Sequence, residues 1–284
     1  MHTTMPAELV AREFSYTQDD FLAVAQRLNQ LAGIRLNPSK DSMVYSRLVR
    51  RLRALKLPSF TAYLNYLAQH PAEEQHFINA LTTNLTSFFR ESHHFDVLAG
   101  YLAQHPACQT IWCAASSTGE EPYSIAMTVA EHYGRFDVPV QIIASDIDSN
   151  VLNIARQGIY PLERVRELSK HRLQNFFQRG VKGQAGNVRV VPELAAMVQF
   201  RQINLLQKDW QLPTQINVIF CRNVMIYFDK NTQLQLLARM VHYLPPDGLY
   251  IAGHSENFAH AAHLVKACGK TTYKPVTRGG SGGL

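Results

Sequence analysis

The stretch Ile111–Ser124 (IWCAASSTGEEPYS) constrains the fold of this chain more than any other. Its first half has few charges and enough β-branched and aromatic residues to predict a short buried strand. Gly119 then provides a position where the backbone can bend or approach a ligand closely. Glu120 and Glu121 follow, and Pro122 stands where the first turn of a helix tolerates proline. The pattern predicts a strand, a tight turn and a helix.

A second apolar run, Ile142–Asp148 (IIASDID), carries Asp146 near its end. A strand, a glycine turn, a helix and a second strand ending in an acid form the unit that binds adenosine-containing cofactors, the acid bonding the ribose hydroxyls. Only Gly119 of the G-x-G-x-x-G pattern is present, and two glutamates at the helix start would repel a pyrophosphate. They suit a positively charged cofactor, and S-adenosylmethionine (SAM) carries a sulfonium and an ammonium group. The alternative is an ordinary turn with solvated acids.

Composition narrows the setting. The 284 residues, 46% of them hydrophobic, are enough for one large domain or for a large and a small one. No apolar run reaches about 18 residues, and the first residues lack the apolar core of a signal peptide, so we expect a cytoplasmic protein. The four cysteines form no C-x-x-C pair, which predicts free thiols in a reducing compartment.

Residues 8–80 show helical periodicity throughout, with Gly33 as an expected C-cap. In the segment SMVYSRLVRRLRAL, an apolar stripe of Val44, Leu48, Leu52 and Leu55 lies opposite four arginines, Arg47, Arg50, Arg51 and Arg53. Residues 40–57 hold six basic residues against one acid. This arginine face is either a solvated surface or a docking face for an acidic partner.

The segment 84–91 (NLTSFFRE) follows the helical region and surrounds aromatic residues with polar ones. One interpretation is helix capping plus two core phenylalanines. The functional interpretation is that Arg90 and the hydroxyl groups line a cofactor cleft at the domain junction.

Strands and helices then alternate, which predicts a largely parallel sheet covered on both faces. Residues 180–199 are expected to form an antiparallel insert before a parallel strand VQFRQI, and residues 278–284 a flexible tail. Ligands of such sheets bind at the carboxyl ends of the strands. The candidate residues there are Ser116–Glu121, Asp146, Asn204, Leu205, Arg222, Asn223 and Tyr227.

Several other chemistries lack their motifs. The sequence contains no H-E-x-x-H or paired His/Cys spacing for a metal, no G-x-S-x-G for a hydrolase and no G-x-x-x-x-G-K-[ST] for a P-loop. The segment CRNVMIYF stands where adenine or cytosine amino-methyltransferases carry Asn/Asp-Pro-Pro-aromatic. Cys221 is not preceded by proline, so nucleophilic cytosine C5 chemistry has no support.

Six segments in this order, ALTTNLTSFFRE, AASSTGEEPYSIA, ASDID, INLL, FCRNVMIYFD and GLYIAGHSENF, resemble the CheR-type chemotaxis methyltransferases. The resemblance spans roughly residues 15–275. It implies methylation of chemoreceptor glutamates with SAM by an α/β, Rossmann-like methyltransferase domain (84–277) with a small β-subdomain, after an all-helical domain (1–83). It also implies a receptor helical bundle as partner, a β-subdomain that in some members of the family binds a receptor tail, and a monomer recruited to receptor arrays; with no metal-ligand spacing in the sequence, we expect no metal.

The resemblance further implies roles for individual residues. The cofactor shell is expected to comprise Asn84, Thr86, Arg90, Glu121, Asp146, Asn204, Leu205, Arg222 and Asn223. Arg90 and Tyr227 are expected nearest the transferred methyl group, and whether Glu120 or Glu121 meets the cofactor stays open. The receptor is expected to bind Arg47, Arg50, Arg51 and Arg53. The alternative functions are a nucleic-acid methyltransferase, supported only by the basic helix, and a non-catalytic SAM-binding adaptor.

Overall fold

The computed structural model describes residues 12–276, so the expected tail at 278–284 lies outside the described residues. The chain separates into two compact units, Met1–Leu81 and Thr82–Leu284. The first is helical in its described part. Its helices are α1 (Gln18–Ala32), α2 (Asp41–Leu55), α3 (Phe60–Gln69) and α4 (Pro71–Leu81). A capping box between Thr17 and Asp20 begins α1, and the predicted C-cap Gly33 ends it with φ 70°.

Helix α2 buries most of its predicted apolar stripe. Val44, Leu48 and Leu52 are fully buried, whereas Leu55, in the last turn before the left-handed residue Lys56, is only half-buried. Of the four arginines opposite this stripe, Arg51 does not project freely from the unit.

Arg51 turns toward α4 instead. Its Nε and Nη2 donate to the two carboxylate oxygens of Glu73 at 2.8 and 2.6 Å, and Tyr63 Oη donates to the same carboxylate at 2.9 Å. Glu73 is 4% exposed, so a buried acid draws this arginine inward. Arg53 pairs with Glu13 at the surface, Arg47 donates to the carbonyl of Ala80, and Arg50 is exposed.

The second unit is built on a seven-stranded sheet of order β6-β2-β1-β7-β8-β10-β9. Five neighbouring strands are parallel, and β10 runs antiparallel to both β8 and β9. These strands are β1 (Thr110–Cys113), β2 (Gln141–Asp146), β6 (Val198–Gln202), β7 (Val218–Cys221), β8 (Leu249–Ala252), β9 (Val265–Gly269) and β10 (Thr272–Pro275). The predicted strand VQFRQI is β6, which pairs in parallel with β2.

Alternate side chains of the central strands enter two separate hydrophobic clusters, because successive residues of a strand face opposite sides of the sheet. Ile111 and Cys113 of β1 lie in one cluster and Trp112 in the other. The helices of this unit are α5 (His93–Gln104), α6 (Glu120–Tyr133), α7 (Ser149–Gln157), α8 (Leu162–Val165), α9 (Lys170–Phe176), α10 (Pro192–Ala196) and α11 (Lys230–His242). Helices α5 and α6 supply the first cluster and α11 the second, so both faces are covered.

A separate three-stranded antiparallel sheet, which we call the insert sheet, has the order β3-β5-β4. Its strands are β3 (Ile159–Pro161), β4 (Phe177–Arg179) and β5 (Asn187–Val190). The predicted insert at 180–199 therefore contains only β5 in full and wrongly includes the start of β6. Strands of three residues are too short to show alternation, which is why β3 and β4 escaped the sequence reading.

We predict that Glu73→Gln lowers the free energy of unfolding of the helical unit by about 1–3 kcal/mol, because a buried, hydrogen-bonded ion pair loses its charge and one acceptor. Both tryptophans belong to the second unit, so urea denaturation is followed by far-UV circular dichroism and by tryptophan fluorescence, and the unfolding of the helical unit is the circular dichroism change that the fluorescence does not report. The control is Glu74→Gln, whose pair with Arg27 is about one-third exposed and should contribute under about 1 kcal/mol. Equal effects of the two variants would contradict the structural role of Glu73.

Candidate active site

The predicted site residues of the second unit follow the carboxyl ends of neighbouring parallel strands. The turn Ser116–Gly119 follows β1, Asp146 ends β2, and Arg222 and Asn223 follow β7. Cys113 is paired in register with Ala144 of β2 and Phe220 of β7. The strand order therefore brings these three segments to one edge of the sheet, as the sequence predicted.

The turn after β1 needs glycine at 119. Gly119 has φ 101°, and a Cβ there would lie 2.7 Å from Tyr160 Oη and 2.9 Å from Ala155 Cβ. Ser117 is also left-handed, with φ 47°, and its backbone N–H donates to Asp146 Oδ2 at 2.8 Å. The conformation of the turn is thus tied directly to the acid at the end of β2.

Asp146 is a buried carboxylate with unused acceptor capacity. Its Oδ1 accepts the backbone N–H of Asp148 at 3.0 Å and its Oδ2 that of Ser117, while the side chain of an ionised Asp offers about four lone-pair sites. Burial raises the pKa of Asp146 to about 6, although these N–H donors oppose the shift. Two oxygens on one rigid carboxylate suit a pair of neighbouring hydroxyl groups.

Asp148 organises the adjoining segment, a role that sequence reasoning missed. Its Oδ1 caps the N-terminus of α7, and its Oδ2 accepts Thr82 Oγ1 at 2.6 Å and Asn84 Nδ2 at 2.9 Å. The Asp before Ser149–Asn150 was a readable N-cap signal. Asn84, predicted as a cofactor contact, directs its amide to Asp148.

The adjacent glutamates point to different partners, because neighbouring positions on a helix diverge by about 100°. Glu120 is fully buried, accepts Thr118 Oγ1 at 2.6 Å and pairs with Arg164 of α8. Glu121 accepts the Cys113 thiol at 3.3 Å and pairs with Arg222. Of the two, Glu121 belongs to the cluster at the strand ends.

Arg222 is the centre of that cluster. Its guanidinium pairs with Glu121, lies 3.4 Å from Glu91 Oε2 and donates to the carbonyl oxygen of Arg90 at 2.6 Å. Burial lowers the pKa of Arg222, but the carboxylates of Glu121 and Glu91 outweigh this effect, so its pKa is raised. One guanidinium faces two carboxylates, which leaves the cluster with a net negative charge.

Arg90 belongs to a segment with a strained backbone. Phe89 and Glu91 on either side have φ 51° and 56°, and Arg90 Nη1 donates to the carbonyl of Leu85 at 2.9 Å. The Phe89 N–H is held by Ser124 Oγ of α6 at 2.9 Å. Two left-handed residues in three are costly, and such strain is typical of functional segments. Thr86, in the same segment, is half-buried.

The connection after β7 is shaped by Glu256, which the sequence analysis did not single out. Its buried carboxylate accepts the backbone N–H groups of Gly253 at 2.6 Å, Met225 at 2.8 Å and Asn223 at 3.0 Å. Burial raises the pKa of Glu256, and the three donors oppose that shift. Asn223 is left-handed, with φ 58°, and the half-buried Tyr227 ends the short helix that follows. A charged residue inside GHSENF, between apolar segments, was the available signal.

Asn204 and Leu205 follow β6. Asn204 Oδ1 accepts the N–H of Leu206 at 2.9 Å, which makes a local turn. The side chain of Leu205 is buried in the second hydrophobic cluster, and its carbonyl accepts Trp210 Nε1 at 3.2 Å and Arg239 Nη1 at 3.1 Å. The side chain of Leu205 therefore packs in the core.

Family models match both parts of the chain. The model "CheR methyltransferase, SAM binding domain" matches residues 84–274, and "CheR methyltransferase, all-alpha domain" matches residues 19–82. Chemotaxis protein methyltransferase 2 of Pseudomonas aeruginosa is 55% identical over 281 residues, covering 97% of this chain and all of that protein. The chemotaxis protein methyltransferases of Salmonella typhimurium and Escherichia coli are each 51% identical over 255 residues, covering 89% of this chain and 88% and 89% of theirs. Across residues 12–276, no helix is long and apolar enough to cross a membrane.

Because burial holds the pKa of Asp146 near 6 in the folded state against an ordinary value of 3.8, folding binds a proton between these values. The free energy of unfolding should therefore fall as pH rises from about 4 to about 6, by on the order of 1–3 kcal/mol from this group. We expect Asp146→Asn to lose that part of the pH dependence, as measured by urea denaturation at pH 4.5, 5.5 and 7. Parallel pH profiles for the two proteins would contradict a raised pKa.

Proposed function

Because the chain belongs to the CheR methyltransferase family, we propose that it transfers the methyl group of SAM to glutamate side chains of bacterial chemoreceptors, forming methyl esters. It is a SAM-dependent methyltransferase of chemotaxis. The observation that carries the assignment is the 55% identity to a chemotaxis methyltransferase over nearly the whole of both chains. We propose that it acts at the cytoplasmic side of receptor arrays.

The residues at the strand ends fit SAM. The two carboxylate oxygens of Asp146 match the ribose hydroxyls, and the excess negative charge of Glu121 and Glu91 around Arg222 suits the positive charges of the cofactor. When bound, SAM supplies an activated methyl group on a sulfonium. We assign the cofactor shell to Asn84, Thr86, Arg90, Glu121, Asp146, Asn204, Leu205, Arg222 and Asn223. Within it, Asn84 acts through Asp148, and Leu205, whose side chain is packed and whose carbonyl accepts two hydrogen bonds, is proposed to contact the cofactor through its backbone N–H.

The proposed reaction needs no strong general base. An ordinary glutamate has a pKa of about 4.3, so its carboxylate is already deprotonated at neutral pH. The protein's task is to hold that carboxylate in line with the methyl carbon, which is catalysis by proximity and orientation. We assign Arg90 to the substrate carboxylate, because guanidinium forks bind carboxylates with two hydrogen bonds, and Tyr227 to its alignment.

We predict that Arg90→Ala lowers kcat by on the order of 100-fold, since a donor to the reacting carboxylate is lost. The Kd for SAM, measured by calorimetry, should change less than about threefold, the factor that roughly 0.6 kcal/mol represents. The assay uses radiolabelled SAM with receptor-containing membranes and counts base-labile label on receptor glutamates. Arg135→Ala, at an exposed position after α6, is the control. Normal turnover with a raised Kd would limit the role of Arg90 to cofactor binding, and label only on nucleic acid would refute the proposed function.

The helical unit is the proposed receptor-docking part, through the arginine face of α2. Two of the four candidate arginines already have partners within the helical unit: Arg51 pairs with the buried Glu73, and Arg53 pairs with Glu13. Arg50 is exposed and carries no ion pair with a described residue. We therefore assign Arg50 the leading role, with Arg47 and Arg53 beside it. Chemoreceptor methylation segments present glutamates, which an arginine can engage in bidentate pairs.

We predict that Arg50→Glu raises KM for the receptor at least fivefold at low salt while leaving the Kd for SAM unchanged, because like charges then face each other and about 1 kcal/mol or more of attraction is lost. The matched control is Arg35→Glu, an equally charged change at an exposed position outside α2. An equal rise in KM for both variants would indicate a general effect of net charge, and no rise for Arg50→Glu would make the face a solvated surface.

We also propose that the insert sheet binds a receptor tail by strand addition. β3 and β4 are both edge strands of this small sheet. Residues 159–190 carry seven basic residues against two acids, a formal charge of +5 that favours an acidic tail.

A further inference from the structure

The insert sheet is bonded directly to the turn that follows β1. Tyr160 of β3 is 2% exposed, and its Oη donates to the carbonyl oxygen of Thr118 at 2.8 Å. A Cβ on residue 119 would lie only 2.7 Å from this hydroxyl, so the position of Tyr160 requires glycine at 119.

A second bond joins the turn to α8, which lies between β3 and β4 in the chain; we call residues 159–190, the insert sheet with α8 and α9, the insert. Arg164 of α8, with a side chain 37% exposed, pairs with the fully buried Glu120. The other oxygen of Glu120 accepts Thr118 Oγ1. The insert therefore binds residues 118–120 at two points: Tyr160 at the backbone carbonyl of Thr118, and Arg164 at the buried carboxylate of Glu120.

The insert also supports the segment before Arg90. The Phe88 ring packs edge-on against Tyr160 at 5.1 Å and against Phe177 of β4 at 5.5 Å. The Arg172 guanidinium lies 3.7 Å over the Phe89 ring. Tyr160 thus contacts both the turn and the segment that carries Arg90, and it lies in the same hydrophobic cluster as the central strands.

We propose that Tyr160 is a positioning residue for the cofactor turn, so that the insert sheet sets the affinity of the site for SAM; this rests on the proposed function. The turn contains the left-handed residue Ser117, a conformation that is costly for a residue other than glycine and needs support from neighbours. Ser117 in turn orients Asp146 through its N–H. Without the Tyr160 hydroxyl the turn samples other conformations, and cofactor binding must then order it. By linkage, a ligand that binds the insert and moves Tyr160 would change the affinity for the cofactor, and the cofactor would change the affinity for that ligand by the same factor.

The test compares Tyr160→Phe with Tyr123→Phe. Tyr123 is an equally buried tyrosine whose hydroxyl also donates to a backbone carbonyl at 2.8 Å, but that carbonyl belongs to Ala155 of α7 and not to the turn. Both variants remove one buried neutral hydrogen bond and should lower thermal stability alike. Calorimetry with S-adenosylhomocysteine gives the Kd, and hydrogen–deuterium exchange of the cofactor-free protein reports on amides 117–121.

Tyr160→Phe should raise the Kd about fivefold, the equivalent of roughly 1 kcal/mol, raise KM for SAM and leave kcat at saturating SAM within about twofold. Its amides 117–121 should exchange faster than in wild type, whereas Tyr123→Phe should match wild type in both Kd and exchange at these amides. Equal Kd values for the two variants, or unchanged exchange in Tyr160→Phe, would overturn the proposal. No binding by the wild-type protein would contradict the proposed function instead, and the exchange data would still decide whether Tyr160 holds the turn.

Discussion

The rest of the candidate site depends on the ion pairs of the buried Arg222 guanidinium. It joins the end of β7 to Glu121 at the start of α6 and to Glu91 and the Arg90 carbonyl in the segment before α5. Placing a charge in the interior is costly unless partners surround it, and here two carboxylates and a carbonyl do so. These partners come from different parts of the sequence, so the contacts of Arg222 link segments that only the folded sheet brings together.

Two buried acids of the candidate site, Glu256 and Asp146, both accept backbone N–H groups, but they differ in how many acceptor sites remain. Glu256 uses its carboxylate on three backbone N–H groups and shapes the connection that carries Asn223 and Tyr227. Asp146 is held by two backbone donors and retains acceptor capacity, at the cost of a raised pKa. All three backbone donors to Glu256 stabilise the connection, whereas Asp146 has acceptor sites beyond its two backbone donors. In the proposed function, the ribose hydroxyls of the cofactor would donate to those sites and offset the cost of burying the carboxylate.

Local patterns were sufficient for much of the architecture. The strand, turn and helix around Gly119, the acid ending β2 and the C-cap at Gly33 depend on neighbours a few residues away, and the structure has them where the sequence predicted. The inward turn of Arg51 toward Glu73, 22 residues later, could not be read from the periodicity of α2, since an arginine on a polar arc looks the same whether solvated or paired. The contact between Tyr160 and Thr118 joins residues 42 positions apart, so no local pattern could predict it. The insert sheet was predicted only in part, because β3 and β4 have three residues each.

The connection between β4 and β5 has a consequence for protein engineering. It begins with the exposed residues 181–183 and reaches the residue after β3 only at Gly186, whose carbonyl accepts the N–H of Leu162 at 2.9 Å. A surface loop lengthens at little thermodynamic cost, about 0.6 kcal/mol for each doubling. Residues inserted at 181–183 would therefore lengthen a surface loop, while the buried Tyr160 and the hydrophobic cluster around it would keep their packing.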